Sequence, residues 1–225
     1  MDKEGVVEFF EVTKVYRGRY YALRDITLSI KKGEFIFLVG PSGAGKTTLL
    51  KTMYMEELPE EGEVKVLGIS HRGITKKDIA FLRRKIGIVF QDFRLLPDRN
   101  ALENVTFSLE SIGVSYKDAR EKALKILTDL GLATKADNEI FDLSGGEQQK
   151  ICIARALVRE PVILIADEPT GNIDPKSQDE IIDLLVNIHG KGTTVIMATH
   201  NYTLLERIPV KRTVHLERGE IKKVS

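Results

Sequence analysis

The chain has a single cysteine in 225 residues, which excludes an intrachain disulfide and a cysteine-built metal site and suits a reducing compartment. That residue, Cys152, is expected to be a small buried hydrophobe. An excess of charge is also missing: Lys and Arg total 34, Asp and Glu 33, for a formal net charge of +1. Neither sign gathers into a long block, which argues against a nucleic-acid binder driven by bulk charge. Long apolar runs are lacking too. The longest, such as Phe35 to Val39 and Val162 to Ala166, reach about five residues against the roughly 20 that cross a bilayer. The start, MDKEGVVEFF, carries acids and no apolar h-region, so no signal peptide is expected and the chain is placed in the cytoplasm. There are no internal repeats, and with 42 % hydrophobic residues the composition excludes disorder and collagen-like structure.

What is present is strand patterning at both ends with helices between. Val6 to Val12, Ile26 to Ile30 with its period-2 alternation, and the continuous run Phe35 to Val39 read as strands. Glu63 to Leu67 follows between Gly62 and Gly68, and the N-terminal part is expected to be partly antiparallel. From Asp92 to about Glu160 the period becomes helical, including Tyr116 to Leu130, where Ser115 and Asp118 suggest a capping box. Val162 to Ala166 and Thr193 to Thr199 then flank a helix through Ile181, Ile182, Leu184, Leu185 and Ile188, the alternation of a parallel α/β sheet. Thr213 to Leu216 and Ile221 to Val224 close the chain as a hairpin around Gly219.

Gly40-Pro41-Ser42-Gly43-Ala44-Gly45-Lys46-Thr47 fits G-x-x-x-x-G-K-[ST] between an apolar strand and a helix. Glycines there let backbone N–H groups face phosphates, while Lys46 can reach the β- and γ-phosphates and Thr47 can ligate Mg²⁺. The strand Val162 to Ala166 delivers Asp167 and Glu168 to its carboxyl end, where open α/β sheets bind ligands. Asp167 would hold the metal and Glu168 would act on the attacking water. Gln91 and His200 stand at two further strand ends. The order argues against a GTPase: Thr134-Lys135-Ala136-Asp137 and Asp142-Leu143-Ser144-Gly145 imitate its motifs but stand in reverse.

Leu143-Ser144-Gly145-Gly146-Glu147-Gln148 resembles the signature of ABC-transporter ATPases. The rest of that family's set stands around it in order. Walker A is Gly40 to Thr47, the Q-loop glutamine Gln91, Walker B ends at Asp167-Glu168, the D-loop runs Gly171 to Asp174, and the switch histidine is His200. The resemblance covers essentially the whole chain. It implies one ABC ATPase domain over 1–225: a P-loop NTPase core with parallel sheet and an antiparallel β subdomain (1–91 and 161–225), and an inserted α-helical subdomain (92–160).

The same resemblance implies ATP and Mg²⁺ as cofactors. Catalysis would fall to Glu168, His200, Gln91 and Lys46, and the metal to Thr47, Gln91 and Asp167. ATP would touch Gly40, Pro41, Ser42, Gly43, Ala44, Gly45, Lys46, Thr47 and Thr48, with Tyr16 stacked on adenine. Ser144, Gly145, Gly146, Glu147 and Asp174 would reach ATP held by a second copy, in a head-to-tail ATP-sandwich homodimer. A helix N-terminus at Ser144 suits the γ-phosphate of that partner. Partners would be the second copy and an integral membrane protein, with no nucleic acid, and the chain would be peripheral on the cytoplasmic face of the cell membrane. The end of the chain soon after the hairpin suggests no regulatory domain. Phe90 to Val105, FQDFRLLPDRNALENV, resembles the cell-division branch of the family; lipoprotein release or macrolide-type export is the alternative, separated by Leu96-Pro97-Asp98-Arg99. Asn201 departs from the Asp that many members carry after the histidine.

Overall fold

The computed structural model describes residues 5–208 and 211–225. Its first part runs β1 (Gly5–Tyr16), β2 (Tyr20–Lys31), β3 (Phe35–Val39), α1 (Lys46–Met53), β4 (Glu61–Val66) and β5 (Ile69–Ser70). Next come α2 (Lys76–Arg84), β6 (Ile86–Val89), α3 (Ala101–Glu110), α4 (Tyr116–Asp129) and α5 (Gly145–Leu157). The last part is β7 (Ile163–Asp167), α6 (Pro175–Gly190), β8 (Thr194–Thr199), β9 (Arg212–Glu217) and β10 (Glu220–Val224).

Two sheets result. One is antiparallel, in the order β2-β1-β4-β5. The other has the order β10-β9-β3-β8-β7-β6 and is parallel except for the β9–β10 hairpin. On β2 the alternation works as the sequence suggests: Ile26, Leu28 and Ile30 are buried while Thr27 and Ser29 are exposed.

The continuous apolar strands have a different logic, because both their faces are covered. Ile36 and Leu38 of β3, with Ile163, Ile165, Ile196 and Ala198, join the core that includes β1, β2 and α1. Phe35, Phe37 and Val39, with Leu164, Ala166, Val195 and Met197, pack on the other face against α5 and α6. A third apolar cluster unites α3, α4 and α5 through residues such as Val105, Leu127 and Ile151. α5 belongs to two clusters, with Cys152, Ile153 and Ala156 facing the sheet and Ile151 and Ala154 facing α3 and α4.

Three local features differ from the sequence reading. α2 was not expected from its pattern, yet it opens on a full Thr75–Asp78 capping box. At α4 only half a box forms: Ser115 accepts from the Asp118 N–H, while the Asp118 carboxylate takes the Ser115 hydroxyl at 2.7 Å. β1 extends beyond Val12 to Tyr16 because irregularities, one near Glu11 with φ 49°, let the strand bend and keep pairing.

Candidate nucleotide site

The loop between β3 and α1 requires glycine where the backbone is crowded. Gly40 has φ 156°, and a Cβ there would lie 2.1 Å from the Leu216 carbonyl oxygen. Gly45 has φ 105°, and a Cβ would come within 2.5 Å of the Ala22 oxygen. Behind the loop, the turn of the β9–β10 hairpin acts as a prop: Gly219 N–H donates to Ala44 O at 3.0 Å, and Arg24 N–H donates to Gly219 O at 2.8 Å. Lys46 folds back under the loop, its Nζ donating to Gly40 O at 2.7 Å and Pro41 O at 3.2 Å. No side chain caps the N-terminus of α1, which leaves the positive end of its dipole suited to an anion.

Parallel pairing of β7 with β8 sets Asp167 opposite Ala198 and so brings Glu168 beside His200. Glu168 adopts φ 46° and is pinned there by its N–H to Ala198 O at 2.9 Å. Glu168 is 8 % exposed; its carboxylate lies 2.9 Å from His200 Nδ1 and accepts the His200 backbone N–H at 3.3 Å. The Lys46 ammonium lies 3.8 Å away. The resulting cleft is lined by Tyr20, Ala22, Ser42 to Thr48, Gln91, Glu168 and His200.

Asp167 and Thr47 line the adjoining groove with Gln91. Burial holds the Asp167 carboxyl above the usual carboxylate range; the Thr47 hydroxyl opposes that and the Glu168 charge adds to it. Its Oδ1 is buried and has no hydrogen-bond partner among the described residues. An orphaned carboxylate oxygen beside a threonine hydroxyl fits a hard divalent cation that takes its remaining ligands from phosphate and water.

The signature residues gather elsewhere. Ser144 caps α5 in a reciprocal box with Glu147, with Ser144 N–H to Glu147 Oε2 at 2.8 Å and Glu147 N–H to Ser144 Oγ at 3.3 Å. Gly146 lets α5 touch α6: a Cβ there would sit 2.2 Å from Ser177 Oγ. Asp174 caps α6 and receives the Ser177 N–H at 3.0 Å, and Gly145 packs near Asn172 O.

The sequence-predicted residues thus form two groups. Ser42 to Thr48, Gln91, Glu168 and His200 share one cleft, with Gly40 and Pro41 holding Lys46 beneath it. Ser144, Gly145, Gly146, Glu147 and Asp174 do not line it. Tyr16 does not line it either; it is half-buried at the end of β1 with the Lys14 ammonium 5.2 Å from its ring centre. Tyr20, which the sequence reading passed over, does line the cleft, and its hydroxyl donates to Gly43 O at 3.4 Å. No sequence signal marks it; the hairpin that pairs Tyr16 with Tyr20 puts it there.

The ABC transporter family pattern matches residues 23–171. This chain belongs to that family. The cell division ATP-binding protein FtsE of Bacillus subtilis is 44 % identical over 216 residues, covering 96 % of this chain and 94 % of the relative. The lipoprotein-releasing system ATP-binding protein LolD of Aquifex aeolicus is 41 % identical over 211 residues, or 93 % of each. Among solved structures, a dimeric ATP-binding cassette in a post-hydrolysis state, bound to ADP and Pi, superposes with TM-score 0.88 at 36 % identity over 97 % of both chains. The protein is therefore an ABC ATPase cassette with that family's α/β fold.

Proposed function

We propose that this cassette hydrolyses Mg²⁺-bound ATP as a head-to-tail homodimer and drives an FtsX-type membrane partner in cell division, regulating cell-wall hydrolases. The observation that carries the chemistry is Glu168: a buried carboxylate at a strand end, held by His200 and facing Lys46 beside the phosphate loop. Glu168 orients the attacking water and takes its proton. His200 fixes the carboxylate and Lys46 bears on the β- and γ-phosphates, so catalysis is positioning and charge stabilisation. Thr47, Asp167 and Gln91 would hold Mg²⁺, and the bound ion would supply positive charge to offset that of the phosphates. Tyr16 stacks on adenine, with Tyr20 at the rim of the cleft.

Dimerisation is supported by the separation of the signature group, Ser144, Gly146 and Asp174, from the cleft its own chain forms, and by the dimeric state of the solved cassette. The cell-division reading is supported by the FtsE relatives together with the Phe90 to Val105 segment. Drive of lipoprotein release or macrolide-type export is the second reading, favoured by the LolD relative. No helix among the described residues is long and apolar enough to cross a membrane. On this proposal the chain docks on the cytoplasmic face of the membrane through its partner.

Glu168→Gln is the test. It should lower the ATPase rate by about 10²- to 10⁴-fold, the usual yield of general base catalysis, while nucleotide affinity persists and light scattering detects an ATP-dependent dimer. Full activity in that variant would refute the role of Glu168. Copurification of the tagged chain from native membranes decides the partner: a small FtsX-like protein supports cell division, whereas an export permease supports the second reading.

A further inference from the structure

Gln91 lines the nucleotide cleft, and two residues later the backbone is held by contacts that nucleotide chemistry does not require. Phe93 and Arg94 are consecutive non-glycine residues with φ of 57° and 49°, a left-handed pair that persists only where its surroundings over-determine it. Those surroundings come from α5. The Arg155 guanidinium donates Nη2 to Phe93 O at 2.6 Å and Nη1 to Arg94 O, and Cys152 Sγ donates to Phe93 O at 3.2 Å. On the outer side, the Arg94 guanidinium lies 4.1 Å from the Phe90 ring centre and pairs with Asp92 at 3.0 Å.

The other end of α5 is Ser144, the signature cap. Between Ser144 and Arg155 the helix spans roughly 16 Å and is packed on both sides, Ile153 against the sheet core and Ile151 and Ala154 against α3 and α4, all 0 % exposed. A helix gripped in this way moves as a rod. We infer that Arg155 is a positioning residue that ties the segment after Gln91 to the signature helix, so that filling the nucleotide cleft and orienting Ser144 and Gly146 are one movement. The inference rests on the ATP-sandwich reading above.

Arginine suits the task because its planar fork serves two successive carbonyls at once, where a lysine ammonium serves them singly. Burial holds the Arg155 guanidinium below the ordinary arginine value, so its carbonyl bonds stand in for lost water and are not an incidental surface contact.

The experiment uses the full chain in the Glu168→Gln background, with ATP and Mg²⁺, and follows dimer formation by light scattering. Arg155→Met should raise the ATP concentration for half-maximal dimer by about tenfold or more, within the range of coupling between sites, while monomer affinity for a fluorescent ATP analogue stays within about twofold. Arg155→Lys should fall between the two. A role confined to stability would not separate monomer affinity from dimerisation or give graded rescue by lysine. Dimerisation of the Arg155→Met protein at the same ATP concentration as its parent overturns the tether and leaves the sandwich standing. A Glu168→Gln parent that stays monomeric overturns the sandwich and the tether with it. Should Arg155→Met not fold, hydrogen exchange on the parent decides: amides of 92–96 and of 145–150 should gain protection at one shared ATP midpoint, and separate midpoints overturn the proposal.

Discussion

Asn104 offers the sharpest test of how the segment Leu96-Pro97-Asp98-Arg99 is held in shape. The side chain is 0 % exposed and serves the backbone of the loop that contains Leu96-Pro97-Asp98-Arg99. Its Oδ1 accepts the Leu96 N–H at 2.7 Å, and its Nδ2 faces the oxygens of Leu96, Arg99 and Asn100 at 3.1, 3.1 and 3.0 Å. Nδ2 carries only two hydrogens, so these contacts amount to about three full hydrogen bonds. Asn104→Leu keeps the volume and removes all of them. At about 1 kcal/mol each, and more where a backbone group cannot reach water, the loss is about 3 kcal/mol. For a chain of this size that corresponds to a fall of about 6 to 12 °C in Tm. Thermal and urea unfolding followed by circular dichroism measure it. A loss below about 1 kcal/mol would show that the loop satisfies its own backbone and would refute the reasoning. Nucleotide affinity should be unchanged, because Asn104 lies outside the cleft, while stimulation by the proposed membrane partner should fall.

Gly146→Ala would place a methyl 2.2 Å from Ser177 Oγ and push α5 off α6, an overpacking cost of about 1–3 kcal/mol; steady-state kinetics should show a lower kcat with monomer nucleotide affinity kept, and wild-type kcat would count against the contact. Tyr16→Ala should weaken ATP binding by roughly 1–3 kcal/mol, as for other base–aromatic contacts; a loss seen only in Tyr20→Ala by titration calorimetry would move the adenine contact to the second ring. Burial pushes the Cys152 thiol from its ordinary 9.0 up to about 12, so a thiol reagent at pH 8 should label the unfolded chain and spare the native one. The same shift means that the unfolded thiol ionises first, so stability is full below pH 9 and declines as the pH climbs toward 12; rapid native labelling would contradict it.

The parts legible in the sequence are those in which local pattern and tertiary role coincide. The run Phe35 to Val39 is a strand because alternate residues feed two cores, and the glycines at 40 and 45 stand where no Cβ fits. α2 escaped notice because Lys76 to Arg84 is mostly charged and only Leu82 is buried; its signal was the Thr75–Asp78 cap, not its apolar face. The pairing of Glu168 with His200 depends on β7 and β8 lying side by side, a fact of register that spacing along the chain does not contain. The grip of Arg155 on Phe93 joins residues 62 positions apart, and Tyr20 reaches the cleft through a hairpin whose bulges no periodicity reveals.

The props behind the phosphate loop have a consequence for biosynthesis. Residues 40–47 leave the ribosome well before residues 194–217, yet β3, the strand that launches them, takes both its sheet neighbours, β8 and β9, from that later stretch. The turn that hydrogen-bonds Ala44 arrives only with Gly219. A nascent chain therefore carries its nucleotide motif without these walls until residues 194–219 have emerged, and ATP capture is expected to wait for them.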